Sequence, residues 1–275
     1  MPLIAHLKRG VLHRCLHGHP WIYEGEIARE EGEAAPGDVV EVRESANRAV
    51  GFGFHNPASR IRVRLLSTER IEDVEALLRA RLAEAIRLRE ALVPDPRHCR
   101  LVFGESDFMP GLVVDRYGNA LSIQVLSLGI ERHRAAILAA LQELTGCDVV
   151  FERSTGSPRV LEGLDPREGF ATDKTCGPVE VLEDGLRLEV DLASSQKTGY
   201  FFDQRANRRL LAPLVAGNRV LDCFTYVGAF ALHAAKHGAA HVTAVDYSED
   251  AIAAASRNAM INGMMGKVEC KVANC

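Results

Sequence analysis

Residues 218–262 restrict the fold of this 275-residue chain more than any other part of it. They begin with a short strand, Arg219–Cys223, in which an apolar run ends in a carboxylate. After a turn, the alanine-rich segment Ala229–His237 has the composition of a helix. Gly238 follows it, and glycine is the residue type that best adopts the left-handed backbone conformation at the carboxyl end of a helix. The segment therefore predicts a strand, a turn and a helix.

A second strand and a second helix follow directly. The strand His241–Val245 leads to Asp246, and Ser248, with two acids behind it, provides the hydroxyl and the negative charges that favour a helix start. A β-α-β-α order predicts a doubly wound, Rossmann-like parallel sheet. The ligand crevice of such a sheet lies at the carboxyl ends of its strands.

The turn after the first strand indicates which ligand this crevice takes. A dinucleotide site needs G-x-G-x-x-G, because the backbone must approach a pyrophosphate closely. The turn here, D-C-F-T-Y-V-G, has one glycine, Gly228, and two aromatic residues, which disfavours a nicotinamide-dependent oxidoreductase. S-adenosylmethionine has no phosphate and a cationic sulfonium that Asp222 would attract, while Asp246 is placed to accept hydrogen bonds from two ribose hydroxyls. An α/β core with acidic strand ends and no ligand is the simpler alternative.

These features resemble motifs I and II of the class I methyltransferases, and V-L-D-C-F-T-Y-V-G-A-F is similar to the RlmI-type rRNA methyltransferases. The resemblance implies S-adenosylmethionine as the cofactor and ribosomal RNA as the partner, with methylation at cytosine C5. It assigns cofactor contacts to residues of both motifs and to one residue near the end of the chain: Asp222, Cys223, Phe224, Thr225, Tyr226, Gly228, Asp246, Tyr247, Ser248 and Asn274.

The segment before the first strand extends this resemblance. S-Q-K-T-G-Y-F-F-D-Q-R is similar to Q-K-T-G-x-F-x-D-Q-R, which the family carries immediately before motif I. The resemblance implies that Lys197, Thr198 and Phe201 lie against the cofactor. It also implies that Asp203 contacts the amino-acid end of the cofactor and that Arg205 orients the loop.

Short strand-like runs dominate residues 1–70. Asp38–Arg43, Ala49–Phe54 and Ile61–Leu66 are separated by proline and glycine breakers, and their spacing predicts a small β-barrel. Three stretches of this region together resemble the PUA domain that precedes the catalytic domain in this family. They are G-H-P-W-I-Y-E-G-E-I, P-G-D-V-V-E-V and G-F-G-F-H-N-P-A-S-R-I-R-V-R-L-L-S. Because PUA domains bind structured RNA, the resemblance implies an RNA-binding module.

Arginines alternate with apolar residues at the last of these strands. Arg60, Arg62 and Arg64 are predicted to share one face of the strand, where they would contact RNA phosphates. A solvated face balanced by Glu41 and Glu44 is the alternative. The resemblance to a PUA domain favours the RNA-binding interpretation.

Residues 71–190 predict a linker helix and a small α+β domain. Apolar residues recur at three- and four-residue steps along Glu72–Leu92, as in an amphipathic helix. The following G-E-S-D-F-M-P-G-L-V-V-D-R-Y-G-N is similar to the central domain of the family. Its Glu105, Asp107 and Asp115 are candidates for acid–base chemistry, with loop capping as the alternative.

Composition excludes several other classes. A net charge of −4 gives no global attraction to nucleic acid, so any RNA contact must come from a local patch. No apolar run approaches the length of a membrane helix, and the amino terminus lacks a signal-peptide core. Seven scattered cysteines without C-x-x-C indicate reduced thiols, a cytoplasmic location and no metal site. A monomer and a homodimer both remain open.

The sequence therefore predicts a multidomain protein of the α/β and α+β classes. It comprises a PUA-like β-barrel (residues 1–70), a linker helix with a central α+β domain (71–190) and an incomplete Rossmann-like class I methyltransferase domain (191–275). The Asp-Pro-Pro motif and the nucleophilic cysteine of the family would lie beyond Cys275. We therefore expect no catalytic residue, no activity and an exposed, aggregation-prone sheet edge in this length alone. A non-enzymatic RNA-binding protein is the alternative function.

Overall fold

The structure is a computed structural model that describes residues 2–10, 14–195 and 198–274. The chain divides into two compact units. The first contains Met1–Pro96, Leu101–Asp115 and Leu121–Lys174, and the second contains Arg97–Arg100, Arg116–Ala120 and Thr175–Cys275. Residues 175–190 thus group with the second unit, whereas the sequence placed them in the middle domain.

The amino-terminal part of the first unit is a six-stranded sheet with the spatial order β2-β6-β5-β4-β1-β3. Its strands are β1 (Ile4–Leu7), β2 (Trp21–Tyr23), β3 (Ile27–Glu31), β4 (Val39–Arg43), β5 (Ala49–His55) and β6 (Ile61–Ser67). Strands β1 and β4 are parallel, and the other neighbours are antiparallel. Alternate residues turn inward, so Ala5, Ile22, Val42 and Val63 are fully buried in one core. The three strands predicted in this region are confirmed.

The rest of the first unit combines helices with most of a five-stranded sheet of order β11-β10-β9-β8-β7. Its elements are α1 (Val74–Leu92), β7 (His98–Phe103), β8 (Leu112–Tyr117), β9 (Ala120–Val125), α2 (Leu128–Arg132), α3 (Arg134–Thr145), β10 (Val149–Ser154), α4 (Ser157–Leu161) and β11 (Arg167–Phe170). Helix α1 starts at Asp73, whose carboxylate accepts a hydrogen bond from the Ala76 amide. The predicted linker helix is therefore present and begins two residues later than expected.

The second unit contains a β-hairpin and a three-stranded parallel sheet of order β14-β15-β16. Its elements are β12 (Val179–Glu183), β13 (Leu186–Val190), α5 (Arg205–Leu210), α6 (Ala212–Val215), β14 (Arg219–Cys223), α7 (Ala229–Lys236), β15 (His241–Asp246), α8 (Glu249–Ile261) and β16 (Val268–Val272). The alternation of strands and helices is the predicted Rossmann-like fold. Helix α8 is capped by Ser248, whose hydroxyl accepts a hydrogen bond from the Ala251 amide.

The helix predicted over Asp203–Leu214 is interrupted. A 3₁₀ turn covers Phe202–Gln204, and the rest is divided between α5 and α6. Pro213 lies in the first turn of α6. A proline there has no amide hydrogen and would clash with the carbonyl four residues earlier, so one continuous helix cannot pass through it.

No helix within the described ranges is both long and apolar enough to cross a membrane.

Candidate functional site

Two carboxylates stand at the carboxyl edge of the parallel sheet in the second unit. Asp222 on β14 pairs with Ala244 on β15, so Asp246, two residues further along β15, lies at the same edge. The Thr225 hydroxyl donates a hydrogen bond of 2.5 Å to Asp222 Oδ2, and the amide of Ala231 donates another of 3.1 Å. The sheet thus brings together the two acids that the sequence predicted to share a crevice.

Asp246 is held by backbone amides. The amide of Tyr226 donates to its Oδ2 at 3.0 Å, and the amide of Ser248 donates to its Oδ1 at 3.1 Å. The residue is 7% exposed. Both oxygens keep acceptor capacity, because a carboxylate oxygen can accept two hydrogen bonds.

The electrostatics of this edge favour a cation. Burial raises the pKa of Asp222 above its ordinary value, and the charge of Asp246 raises that pKa further, while the hydrogen bonds from Thr225 and Ala231 oppose the shift. Two carboxylates this close repel each other. A positively charged group beside Asp222 would oppose this shift and stabilise its ionised form.

The turn between β14 and α7 has an unusual backbone. Phe224 (φ 60°) and Tyr226 (φ 53°) are non-glycine residues in the left-handed region. The Thr225 amide, between them, donates to the carbonyl of Val245 at 2.9 Å, which ties the turn to the next strand. Strained conformations of this kind persist where surrounding structure enforces them, often at ligand sites.

Gly228 ends this turn and begins α7. Its φ is +85°, and a Cβ added there would lie 3.1 Å from the Cβ of Ala255 on α8. Both the backbone angle and the close approach of α8 therefore require glycine. The sequence singled out this glycine through the resemblance, and the structure supplies the physical reason.

Aromatic residues follow both strands that carry the two acids. Phe224 (66% exposed) and Tyr247 (67% exposed) follow β14 and β15 directly. The ring of Phe201 packs edge-on against Tyr226 at 5.6 Å, and the Tyr226 hydroxyl donates to the carbonyl of Gly199 at 2.7 Å. Exposed rings beside a polar strand edge can cover the flat, weakly polar surface of a nucleobase.

The segment that precedes β14 reaches this site only in part. Thr198 is buried, and its carbonyl accepts a hydrogen bond from the Tyr117 hydroxyl at 3.0 Å. Asp203 is exposed. Arg205 donates to Glu183 at 3.1 Å and to the carbonyl of His98 at 3.1 Å, in keeping with a loop-orienting role.

Three other predicted cofactor residues are either exposed or act as a helix cap. Cys223 and Asn274 are exposed, at the end of β14 and beyond β16. The Ser248 side chain caps α8. Lys197 lies outside the described residues.

A buried charge cluster supports the site and was not predicted. The Glu183 side chain at the end of β12 is fully buried and accepts two hydrogen bonds from Arg208, at 2.6 and 2.9 Å, and one from His233 at 3.1 Å. Arg208 also donates to the carbonyl of Phe201 at 3.1 Å. The cluster therefore connects the hairpin, α5 and α7 to the loop that carries Phe201. In the sequence Glu183 looked like an ordinary residue before a hairpin turn.

Asn258 is a second supporting residue that sequence patterns did not reveal. It is fully buried on α8, and its side-chain amide donates to the carbonyls of Val227 at 2.9 Å and Glu189 at 3.2 Å. Its Oδ1 accepts from the Glu189 amide at 2.7 Å. Asn258 thus fixes the turn before Gly228 against β13. A polar residue on the apolar face of a helix is the signal that could have identified it.

Two of the three arginines on the predicted arginine face of the first unit already have partners within the protein. Arg64 is 12% exposed and pairs with Glu105 at 3.2 Å and Glu162 at 2.8 Å. The Arg62 side chain is 19% exposed and donates to the carbonyl of Pro57. Arg60 is exposed and makes no ion pair with the described residues. Of the three arginines, Arg60 is therefore the one placed to meet a phosphate.

The acid–base candidates of the middle region have structural contacts. Asp107 accepts two hydrogen bonds from Arg89, at 2.5 and 2.7 Å, and one from the Phe103 amide at 2.6 Å. These contacts agree with the loop-capping role that was the alternative to acid–base chemistry. Glu105 accepts from the indole of Trp21 at 2.7 Å.

Two family patterns match the chain. Residues 5–68 match the PUA-like domain, and residues 139–272 match the family described as S-adenosylmethionine-dependent methyltransferase. The two matches cover the six-stranded sheet and the site around Asp222 and Asp246.

Curated proteins with similar sequences are rRNA methyltransferases. The chain is 37% identical over 263 residues to ribosomal RNA large subunit methyltransferase I of Erwinia tasmaniensis, covering 94% of this chain and 66% of that protein. It is 37% identical over 262 residues to the protein of the same name from Klebsiella pneumoniae, with the same coverage. The chain thus spans 66% of the length of these relatives.

Solved structures share the fold. A candidate S-adenosylmethionine-dependent methyltransferase from Streptococcus mutans superposes with a TM-score of 0.82 at 19% identity, over 98% of this chain and 70% of that one. A candidate methyltransferase complexed with SAH superposes with a TM-score of 0.83 at 19% identity. At this identity the likeness establishes the architecture.

Proposed function

We propose that this chain serves in the methylation of ribosomal RNA. The premise is that it belongs to the S-adenosylmethionine-dependent methyltransferases with an amino-terminal PUA-like domain. The observation that carries the proposal is the pair of carboxylates, Asp222 and Asp246, at one edge of the parallel sheet. The names of the curated relatives support the choice of ribosomal RNA.

The described residues fit S-adenosylmethionine. Burial and the charge of Asp246 raise the pKa of Asp222, and no cation among the described residues pairs with it; the ammonium and sulfonium groups of the cofactor would supply one. Asp246 has acceptor capacity for ribose hydroxyls, and the exposed ring of Tyr247 follows it directly. Phe224 and Phe201 would cover further apolar surface of the ligand. Asp203, Thr198, Cys223, Ser248 and Asn274 complete the proposed set of contacts, with Lys197 from outside the described residues.

The residues have separable roles in this proposal. When bound, the cofactor supplies a methyl group on a cationic sulfur. Asp222 holds the charged end, Asp246 holds the ribose, and the turn at Gly228 keeps the backbone close to the ligand. The cluster around Glu183 fixes the loop that carries Phe201, which excludes water from one side of the site.

We propose cytosine C5 of large-subunit rRNA as the target, on the family resemblance. That chemistry needs a thiolate to add to cytosine C6, since C5 is otherwise a poor nucleophile. Burial raises the pKa of the Cys15, Cys176 and Cys270 thiols. Cys223 lies within the proposed cofactor turn. These observations support the proposal that residues 1–275 bind the cofactor and do not turn over by themselves.

The amino-terminal sheet, within residues 1–70, is proposed to recruit the RNA, and the second unit, which includes Thr175–Cys275, is proposed to bind the cofactor. A ribosomal substrate supports a cytoplasmic location. Nucleoside mass spectrometry of rRNA from cells with and without the gene tests the target. Loss of one 5-methylcytidine is expected, and loss of a different methylated nucleoside would redirect the assignment.

Calorimetric titration of the purified 275-residue chain with S-adenosylmethionine tests the cofactor site. We expect Asp246→Asn to weaken binding at least about tenfold, since each lost charged hydrogen bond is worth about 1.5–3 kcal/mol. Asp250→Asn, in the exposed first turn of α8, is the matched control and should bind normally. If RNA binds while neither Asp222→Asn nor Asp246→Asn has any effect, a non-enzymatic RNA-binding protein is the better description. A rise in melting temperature with NAD would instead favour an oxidoreductase.

A further inference from the structure

The first unit contains a cavity that the cofactor site does not explain. Its volume is about 590 Å³, within the range of small-molecule sites, which is about 300–1,000 Å³. Residues of β2 and β6 form one side of it, and residues of the α4 region form the other. The cavity lies entirely among residues of this one unit.

Aromatic and apolar side chains form most of its walls. Trp21 and Tyr23 contribute rings whose planes meet at 79° with centroids 6.4 Å apart. Leu161 on α4 lines the cavity and is 67% exposed. Walls of this kind can bind a flat aromatic ring of a ligand, because the ring is removed from water when it packs against them.

A fixed charge network lies in the same cavity. Arg64 bridges Glu105 and Glu162 and also lies over the ring of Trp21 at 5.4 Å. Burial raises the pKa of Glu162, but the charge of Arg64 and the hydrogen bonds to Glu162 outweigh burial and hold the pKa below its ordinary value. Two carboxylates and one guanidinium leave a net negative charge among these three groups.

Glu105 has an oxygen to spare. Its Oε1 accepts hydrogen bonds from the Trp21 indole at 2.7 Å and from Arg64 at 3.2 Å. Its Oε2 accepts none from the described residues. A carboxylate oxygen in a partly dry cavity selects a ligand that donates hydrogen bonds.

Arg60 lines the same cavity from an exposed position. Its guanidinium has no carboxylate partner among the described residues, so it can bind an anion at little cost. An aromatic cavity with a spare hydrogen-bond acceptor inside and a free guanidinium beside it matches a nucleotide, with its flat base, amino group and phosphate.

We propose that this cavity binds one unpaired nucleotide of RNA, with a base that bears an exocyclic amino group directed at Glu105 and a phosphate at Arg60. The proposal rests on the proposed function, because it takes the substrate to be RNA. It gives the first unit a base-selective contact in addition to phosphate contacts. Cytosine, adenine and guanine each bear such an amino group, whereas uracil has none and presents carbonyl oxygens at C2 and C4.

The fluorescence of Trp21 reports on the cavity directly, because the chain has one tryptophan. The 275-residue chain is titrated with the RNA tetranucleotides CCCC, AAAA and UUUU. We expect CCCC or AAAA to change the emission saturably and UUUU to bind at least about fivefold more weakly. Equal curves for all three would overturn the base selectivity, and no change with any of them would overturn the site.

Variants with matched controls test each contact. Removal of one stacking ring by Tyr23→Ala should weaken binding about tenfold, since stacking is worth about 1–3 kcal/mol per base. Glu105→Gln keeps the Oε1 acceptor and should abolish the preference over UUUU. Arg60→Ala should weaken binding and lower its salt dependence, whereas Arg70→Ala, also exposed, should not.

Leu161→Ser and Val160→Ser form a second matched pair. Both residues are exposed on α4, at 67% and 60%, but only Leu161 lines the cavity. The proposal requires weaker binding from the first variant alone. Thermal unfolding of every variant confirms that it is folded before its titration is interpreted.

The outcomes separate this proposal from the proposed function. If RNA binds without any change at Trp21, and Arg60→Ala behaves like Arg70→Ala, the nucleotide site is overturned while the methyltransferase assignment stands. If Trp21 responds to the tetranucleotides but S-adenosylmethionine does not bind, the methyltransferase assignment fails and the nucleotide site stands.

Discussion

At the scale of single residues, the proposed cofactor site is built around one glycine and two acids. Gly228 has a φ of +85°, and a Cβ added to it would lie 3.1 Å from the Cβ of Ala255. Asp222 and Asp246 lie at one edge of the sheet, where burial and the charge of Asp246 raise the pKa of Asp222. Small changes at these three positions therefore have large expected effects.

Gly228→Ala should lower the free energy of unfolding by more than the roughly 1–2 kcal/mol of a left-handed alanine, because Ala255 must also move. Gly263→Ala is the matched control: its φ is +67°, and no atom lies within 4 Å of the position of an added Cβ. Urea denaturation of both variants gives the comparison. Equal losses would show that the contact with Ala255 is unimportant.

The affinity for S-adenosylmethionine should fall on acidification. Burial, with the charge of Asp246, raises the pKa of Asp222, so its protonation begins at a higher pH than for an ordinary aspartate of pKa about 3.9. The protonated acid no longer attracts the cationic ligand. Titrations at several pH values should therefore show binding that weakens as the pH falls, beginning at a higher pH than an ordinary aspartate would give, and Asp222→Asn should bind weakly with a flatter profile. A profile that is the same in both proteins contradicts this role.

At the scale of elements, the buried cluster around Glu183 connects the β12–β13 hairpin to α5 and α7. Burial raises the pKa of Glu183, but hydrogen bonds from His233, Arg208 and Arg205 outweigh it and hold the pKa well below 4.5. A depressed carboxyl pKa contributes stability above the pKa of the unfolded chain, and that contribution is lost as the pH falls below it. The second unit should therefore lose stability on acidification from about pH 5.

Glu183→Gln tests this cluster. Loss of the charge leaves Arg208 buried without its counterion, which should cost about 3 kcal/mol at neutral pH and flatten the dependence of stability on pH below about 5. Glu180→Gln removes an exposed ion pair with Arg187 on the same hairpin and should cost less than about 1 kcal/mol. Circular dichroism melts between about pH 4 and about pH 7 distinguish the two variants. An unchanged slope in Glu183→Gln would show that another group carries the acid sensitivity.

At the scale of the whole molecule, the net charge and the exposed apolar surface determine where another molecule could bind. The net charge of −4 means that the proposed RNA partner would bind at local cations such as Arg60 rather than at a broadly basic surface. Leu221, on the edge strand β14, is 64% exposed. An exposed apolar edge strand can pair with a second chain.

Leu221→Lys should reduce concentration-dependent association of the 275-residue chain, because a charge on an edge strand disfavours strand pairing between molecules. Met265→Lys adds the same charge at an exposed position outside the strands and should have little effect. Sedimentation velocity over a range of concentrations measures both. If both variants associate like the parent, the β14 edge is not the contact.

The amino-acid sequence by itself determined the local elements and the family. Strand β14 has the predicted bounds, Ser248 caps α8, and Asp222 and Asp246 stand where a parallel sheet puts the ends of its strands. These features depend on near neighbours in the chain, through hydrophobic periodicity, capping and turn preferences, and so they are visible in a short stretch of sequence.

The tertiary structure alone decided which polar side chains are free and which are paired. Arg64 and Arg60 look alike in sequence, yet among the described residues Arg64 pairs with Glu105 and Glu162 whereas Arg60 pairs with no carboxylate. Glu183 likewise finds Arg208 and His233 on other elements. Such pairs join residues far apart in the chain, and no local pattern encodes them. The cavity beside Trp21 exists for the same reason, since its walls meet only when the strands and α4 pack together.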